Sequence, residues 1–269
     1  MNRIAAAACL LILVVLPACG PRELAPDSPI DCERCAEWNE PLDPFRIHGN
    51  TWYVGTDGLS SILIETGDGL VLIDGGLPQS AALIETSIRE LGFDPHDIGA
   101  ILLSHPHYDH AGGINALQRM TGASVYTGEA GLETLTSGRL QEGDPQFVAD
   151  TDDGRFPAVR KVLTAGNGER LVFGEVGITA VYTPGHSAGS VTWTWQSCAL
   201  GICYDVVYAD SLMAVSAPGF SFAASGAADE LIESAGIIAD LECDILLSPH
   251  PFFFGLYDKL ERIDEGNPF

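Results

Sequence analysis

The residues His105-Pro106-His107-Tyr108-Asp109-His110 gather four possible metal ligands into one short stretch. On an extended segment alternate side chains share a face, so His105 and His107 can grip one ion together. Asp109 and His110 are offset by the following turn and can hold a neighbouring ion. Imidazole and carboxylate suit zinc, and fewer than four protein ligands per ion leaves room for water. The chain has 7 histidines, and three of them lie here. His186 follows Pro184-Gly185 and His250 follows Ser248-Pro249, both after strand-like runs. Alone, either would be read as a structural histidine. Beside a cluster whose ions each lack a ligand, they are expected to complete it. His48 and His96 have no such context and are read as structural or solvent-facing.

The elements that must carry these residues are visible as apolar patterns. The folded domain is expected to begin near Phe45 and run to the end of the chain, residues 45–269. Trp52-Tyr53-Val54 and Ser61-Ile62-Leu63-Ile64 read as strands, and Gly67-Asp68-Gly69 turns into Leu70-Val71-Leu72-Ile73-Asp74. Ile84, Ile88 and Leu91 have helical spacing closed by Gly92. The apolar run 100–104 reads as a buried strand that delivers the histidine cluster on the loop at its end. A helix with Leu117 and Met120 follows. In the second half, residues 176–182, 191–195, 206–208 and 245–247 read as strands. Residues 227–241 read as a helix with Leu231, Ile232, Ala235 and Ile238 on its apolar stripe. Strand runs open each half and a helix comes later, which implies two sheets covered by helices on their outer sides, an α+β architecture. Residues 137–160 lack periodicity and are expected to form a loop over the site.

Composition narrows the partners. The 46% hydrophobic and 19% charged content describes a globular chain with a sizeable core. Acidic residues outnumber basic ones 37 to 13, a formal charge of −24 that repels phosphate backbones and argues against nucleic-acid binding. At the N-terminus, Arg3 precedes an apolar run over residues 4–16, the h-region of a secretory signal and too short to span a bilayer comfortably. Leu16-Pro17-Ala18-Cys19-Gly20 resembles the lipobox of bacterial lipoproteins, which implies a signal peptide over 1–18 and a lipid on Cys19. Gly20, in place of an aspartate, favours the outer membrane. The expectation is a periplasmic protein whose only membrane contact is that lipid. Residues 19–44, rich in prolines and charges, read as a tether.

In an exported protein disulfides are allowed. Cys198 and Cys203 flank Ala199-Leu200-Gly201-Ile202 between two strand-like runs, which suits a bridge across a hairpin tip. Cys32 and Cys35 form a C-x-x-C that fits a local disulfide, a redox pair or half a zinc site, and a structural bridge is favoured. Cys243 is left without a mate, and a partner beyond Phe269 is expected, with the C-terminus incomplete.

Leu103-Ser104-His105-x-His107-x-Asp109-His110-Ala111-Gly112-Gly113 resembles the signature of the metallo-β-lactamase superfamily. The likeness extends through Leu72-Ile73-Asp74-Gly75-Gly76, Thr183-Pro184-Gly185-His186-Ser187-Ala188-Gly189-Ser190, Tyr208-Ala209-Asp210-Ser211-Leu212 and Asp244-Ile245-Leu246-Leu247-Ser248-Pro249-His250-Pro251. With Gly49-Asn50-Thr51-Trp52-Tyr53-Val54-Gly55-Thr56, it is similar to subclass B3 over nearly all of 45–269. The resemblance implies a four-layer αβ/βα sandwich of two mixed sheets flanked by helices. It implies two Zn2+ ions, the first held by His105, His107 and His186 and the second by Asp109, His110 and His250. Cys198 and Cys203 fall where some B3 enzymes have a disulfide. Ser211, where subclass B1 has a ligand cysteine, matches B3 and is expected to help bind water or the substrate carboxylate. Asp210 is read as supporting the ligands, with a metal-bridging role as the lesser alternative. Asp74 and its glycines are read as support for the metal loop. Met213 stands where B3 enzymes often have a hydroxyl residue.

The activity implied is hydrolysis of the β-lactam amide bond of penicillins, cephalosporins and carbapenems by a zinc-bound hydroxide, with Asp109 orienting the nucleophile while ligating. Another hydrolase of the superfamily, acting on a lactone, thioester or phosphodiester, would share every ligand. A non-catalytic zinc-binding lipoprotein would bind metal without turnover. A redox protein built on Cys32 and Cys35 would act without zinc.

Overall fold

The computed structural model describes residues 22–264. The signal peptide, Cys19 and the final residues lie outside that span. Among the described residues, twelve strands build two sheets. The first holds, in spatial order, β1 (Phe45–His48), β2 (Thr51–Tyr53), β3 (Ile62–Glu65), β4 (Leu70–Ile73), β5 (Ile98–Leu102), β6 (Ser124–Thr127) and β7 (Val162–Thr164). Its first half is antiparallel, and β4 through β7 run parallel. The second sheet comprises β8 (Arg170–Phe173), β9 (Val176–Tyr182), β10 (Val191–Ala199), β11 (Ile202–Tyr208) and β12 (Ile245–Leu247), in the order β12-β11-β10-β9-β8. It is antiparallel except where β12 joins β11. Helices α1 (Cys35–Trp38), α2 (Ala81–Glu90), α3 (Tyr108–Ala111), α4 (Ile114–Thr121) and α5 (Leu132–Ser137) belong to the first half. Helices α6 (Phe222–Ser225), α7 (Ala227–Ala239) and α8 (Leu256–Asp264) belong to the second. None of the described helices is long and apolar enough to cross a membrane.

The period-2 geometry of strands sorts the apolar runs into two cores. Ile62, Ile64, Val71, Ile73, Ala100 and Leu102 face the second sheet and meet Ile178, Ala180, Trp193, Val206 and Tyr208. Their neighbours Leu63, Leu72 and Ile101 point the other way, against Ile84 and Ile88 of α2 and Ile114, Leu117 and Met120 of α4. A sheet covered on both faces needs continuous apolar runs, which is why β4 and β5 lack alternation. The expected helix–sheet–sheet–helix layering is what the chain adopts.

Two readings of the sequence need correction. In α7 the inward stripe is Ala227, Leu231, Ser234 and Ile238, with Ala227 and Ser234 buried, whereas Ile232 is 72% exposed. Ser234 earns its inward place by donating a 2.7 Å hydrogen bond to the Pro184 carbonyl. The stretch read as a tether is laid onto the domain from residue 22. Cys35 is buried with Leu59 and Leu77, while Ile30, Cys32 and Trp38 pack beside them. The Gln79 side chain pairs with both backbone groups of Ile30. Prolines and charges there mark irregular backbone, and the scattered apolar residues still dock it. Both bridges form, Cys32–Cys35 and Cys198–Cys203, the latter joining the paired ends of β10 and β11. Among the described residues, Cys243 has no disulfide partner and is exposed.

Candidate metal centre

The histidine loop leaves β5 at the rim between the sheets and is fixed from beneath by Asp74. This residue sits at the end of β4 with φ +59°, a backbone state most side chains avoid, and is completely buried. Its carboxylate accepts from Ser104 N–H (2.8 Å), Ser104 Oγ (2.7 Å) and the Tyr208 hydroxyl (2.8 Å). Burial pushes its carboxyl up to about 6 despite those donors and nearby His110. The loop's glycines answer to close packing: a Cβ on Gly113 would lie 2.2 Å from the Gly75 carbonyl oxygen. Asp74 therefore supports the loop, as its sequence position implied.

Ligand atoms of His105, His107 and His186 fall within 4.8 Å of one another, and those of His105, Asp109 and His110 form a second group of the same tightness. His250 comes in beside the second group. Its Nε2 lies 3.5 Å from Asp109 Oδ2, and its ring centroid lies 5.0 Å from that of His110. His110 Nε2 is 3.2 Å from the same carboxylate oxygen. The residues singled out as ligands thus meet at one place, although they come from three separate stretches of chain.

Four of the five rings, all but His110, have one nitrogen tied away from the centre. His105 Nδ1 meets Asp210 Oδ1 at 2.7 Å, His186 Nδ1 donates to the Met213 carbonyl at 2.7 Å, and His250 Nδ1 donates to the Gly58 carbonyl at 3.1 Å. These contacts leave Nε2 as the inward atom. His107 is reversed: its Nε2 meets Asp144, leaving Nδ1 inward, where Gln146 Nε2 lies 3.1 Å away. Fixing one nitrogen sets the tautomer and raises the basicity of the other, the arrangement that accompanies metal-binding imidazoles.

The electrostatics follow from burial. Burial, helped by His110 and His107, holds His105 well below its ordinary pKa, and burial beside His105 and His107 takes His186 down to about 3. Both rings are therefore neutral at pH 7 with lone pairs available. Burial opposes the charge on Asp109, but His110 and His250 outweigh it and keep the carboxyl well below its usual range. His105 Nε2, both ring nitrogens of His110 and Asp210 Oδ2 are buried without a hydrogen-bond partner. Orphaned polar atoms are costly in a protein interior unless something binds them. Imidazoles and a carboxylate converging on one point are a donor set suited to divalent transition metals.

The family model of the metallo-β-lactamase superfamily matches residues 54–250. The chain belongs to the metallo-β-lactamase superfamily. It is similar to the Rm3 metallo-β-lactamase at 44% identity, with a TM-score of 0.84, over 88% of this chain and 89% of that one. It is also similar to MEM-A1, a subclass B3 metallo-β-lactamase from a soil metagenome library. The identity is 41% and the TM-score 0.81, over 86% of this chain and 88% of that one. Among curated relatives, it is 32% identical over 85 residues to exodeoxyribonuclease WalJ of Streptococcus pneumoniae. That match spans 32% of this chain but only 30% of the relative.

Against this superfamily background, three further residues stand out. Asp210 is buried and orients His105 through Oδ1, in line with a supporting role. Met213 contributes its backbone carbonyl to His186, while its side chain is 39% exposed at the rim. Ser211 is buried beside Asp210 and receives the Met213 N–H at 3.4 Å. Sequence reading did not single out Asp144 or Gln146. Its only hint was that the aperiodic 137–160 segment would cover the site.

Proposed function

We propose that this protein hydrolyses the amide bond of β-lactam antibiotics as a subclass B3-like enzyme carrying two zinc ions. The observation that carries the reading is the paired cluster of inward-facing donors, in a chain over 40% identical to B3 enzymes along most of its length. His105, His107 and His186 would hold the first ion, and Asp109, His110 and His250 the second. Zinc bound there supplies a water ionising near pH 7 and a Lewis acid for the carbonyl, with no side-chain base needed. Asp109, kept ionised by its two histidine neighbours, would orient the attacking water while ligating. Asp210, Met213 O and Gly58 O hold their rings in register, so little reorganisation is needed at the reaction. Ser211, next in sequence to Asp210 and buried like it, would help bind water or the substrate carboxylate. The protein as purified is expected to contain two equivalents of zinc and to open a chromogenic cephalosporin. Metal-replete protein without lactam turnover would sink the proposal.

We place the enzyme in the periplasm, lipidated on Cys19 and anchored to the outer membrane, on the strength of the N-terminal sequence. Mass spectrometry of the mature protein from outer-membrane fractions should find a diacylglyceryl cysteine at its N-terminus. A soluble form cleaved elsewhere would contradict the anchor.

A further inference from the structure

We propose that Asp144, on the long loop between α5 and β7, is a positioning residue for the first metal, acting through His107. The proposal rests on the zinc reading above. The other histidines of the first cluster are held from the body of the fold: His105 by Asp210 after β11, and His186 by a carbonyl of the segment that follows. His107 is held from the loop. Asp144 Oδ2 and Oδ1 lie 3.1 and 3.2 Å from His107 Nε2, and the Asp144 side chain is 9% exposed. A carboxylate accepts only, so Nε2 must carry the proton and Nδ1 is left with its lone pair inward.

Asp144 is itself fixed in place. Its Oδ1 accepts the Gln146 N–H at 2.9 Å, its own N–H donates to the Gln141 carbonyl, and its carbonyl accepts from Phe147 N–H. One residue further on, the Pro145 carbonyl accepts the Ala217 N–H at 2.8 Å. Ala217 lies on the same segment as Met213, whose carbonyl sets His186. The two segments that orient His107 and His186 are thus pinned to one another. The loop is part of the first metal's support, not just a cover, and a displacement of it is transmitted to two of the three ligands.

The test compares Asp144→Ala, Asp144→Asn and, as a control in the same loop, exposed Asp150→Asn. Zinc affinity is measured by titration against a chromophoric chelator, and the His107 tautomer by long-range proton–nitrogen spectra. Asp144→Ala is expected to weaken one zinc equivalent by about 10- to 100-fold, the usual cost of losing such a partner, and to leave the other within about twofold. The protected Nε2–H signal of His107 should disappear. Asp144→Asn keeps an acceptor oxygen and should recover most of the affinity, and Asp150→Asn should match the parent. Unchanged affinity for both equivalents in Asp144→Ala would overturn the proposal. So would an equal loss of both, because Asp144 touches only His107 among the ligands. A parent protein that binds no zinc at all would instead overturn the underlying cofactor reading.

Discussion

Asp109→Asn is expected to lower kcat for β-lactam hydrolysis by on the order of 10³-fold, with the fold intact. The substitution preserves shape but removes the charge that His110 and His250 both face. Their Nε2 atoms lie 3.2 and 3.5 Å from one Asp109 oxygen, so a single carboxylate organises that side of the centre. A neutral amide cannot draw two imidazoles and a cation together, nor orient the attacking water as a charged carboxylate does. One zinc equivalent should be lost or greatly weakened, while the His105, His107 and His186 group retains the other. Steady-state kinetics with metal analysis on the same preparation will check this. A variant that keeps both equivalents and falls less than tenfold in kcat would remove Asp109 from the central role.

Trp193→Ala should be the most damaging single change to stability, at about 5 kcal/mol. Trp193 is completely buried in β10 between the two sheets, and its indole N–H donates to the Leu103 carbonyl at 3.0 Å. Truncation removes a large apolar surface, leaves a cavity and strips the donor from the Leu103 carbonyl, two residues before His105. The next contact along is also shared, since Val191 N–H donates to the Ser104 carbonyl at 2.7 Å. The second sheet thus grips the metal loop at consecutive positions. Denaturant unfolding should show the loss, and the folded fraction should hold zinc less tightly. A change below about 1 kcal/mol would mean that the loop is held elsewhere.

These dependencies explain which parts were legible in the sequence. The His105 to His110 cluster is local, so its spacing alone carries the chemistry. His186 and His250 were within reach because each terminates an apolar strand whose end must fall at the same rim. The core strands β4 and β5 announce themselves by continuous apolarity. Short β7 and edge strand β8 (burial alternating exposed and half-covered) carry too little apolar contrast to be seen. Asp144 and Gln146 were invisible for a different reason. Their meaning lies in one contact 37 to 39 residues away in sequence, made by a segment with no periodicity. The docking of residues 22–44 was missed likewise, because Trp38 packs within 5.3 Å of the His250 ring, far along the chain. Ile232 misled because α7 is covered on a narrow face where a small serine, tied to Pro184, fits better than a large apolar side chain.

The central claim is that the paired donor clusters serve lactam hydrolysis. The most direct test is a steady-state comparison of a penicillin, a cephalosporin and a carbapenem with a thioester and a lactone, with and without a chelator. Zinc-loaded protein should open the lactams with turnover that the chelator abolishes and zinc restores, and should be much slower on the other two. Rapid thioester or lactone cleavage with no lactam turnover would contradict it.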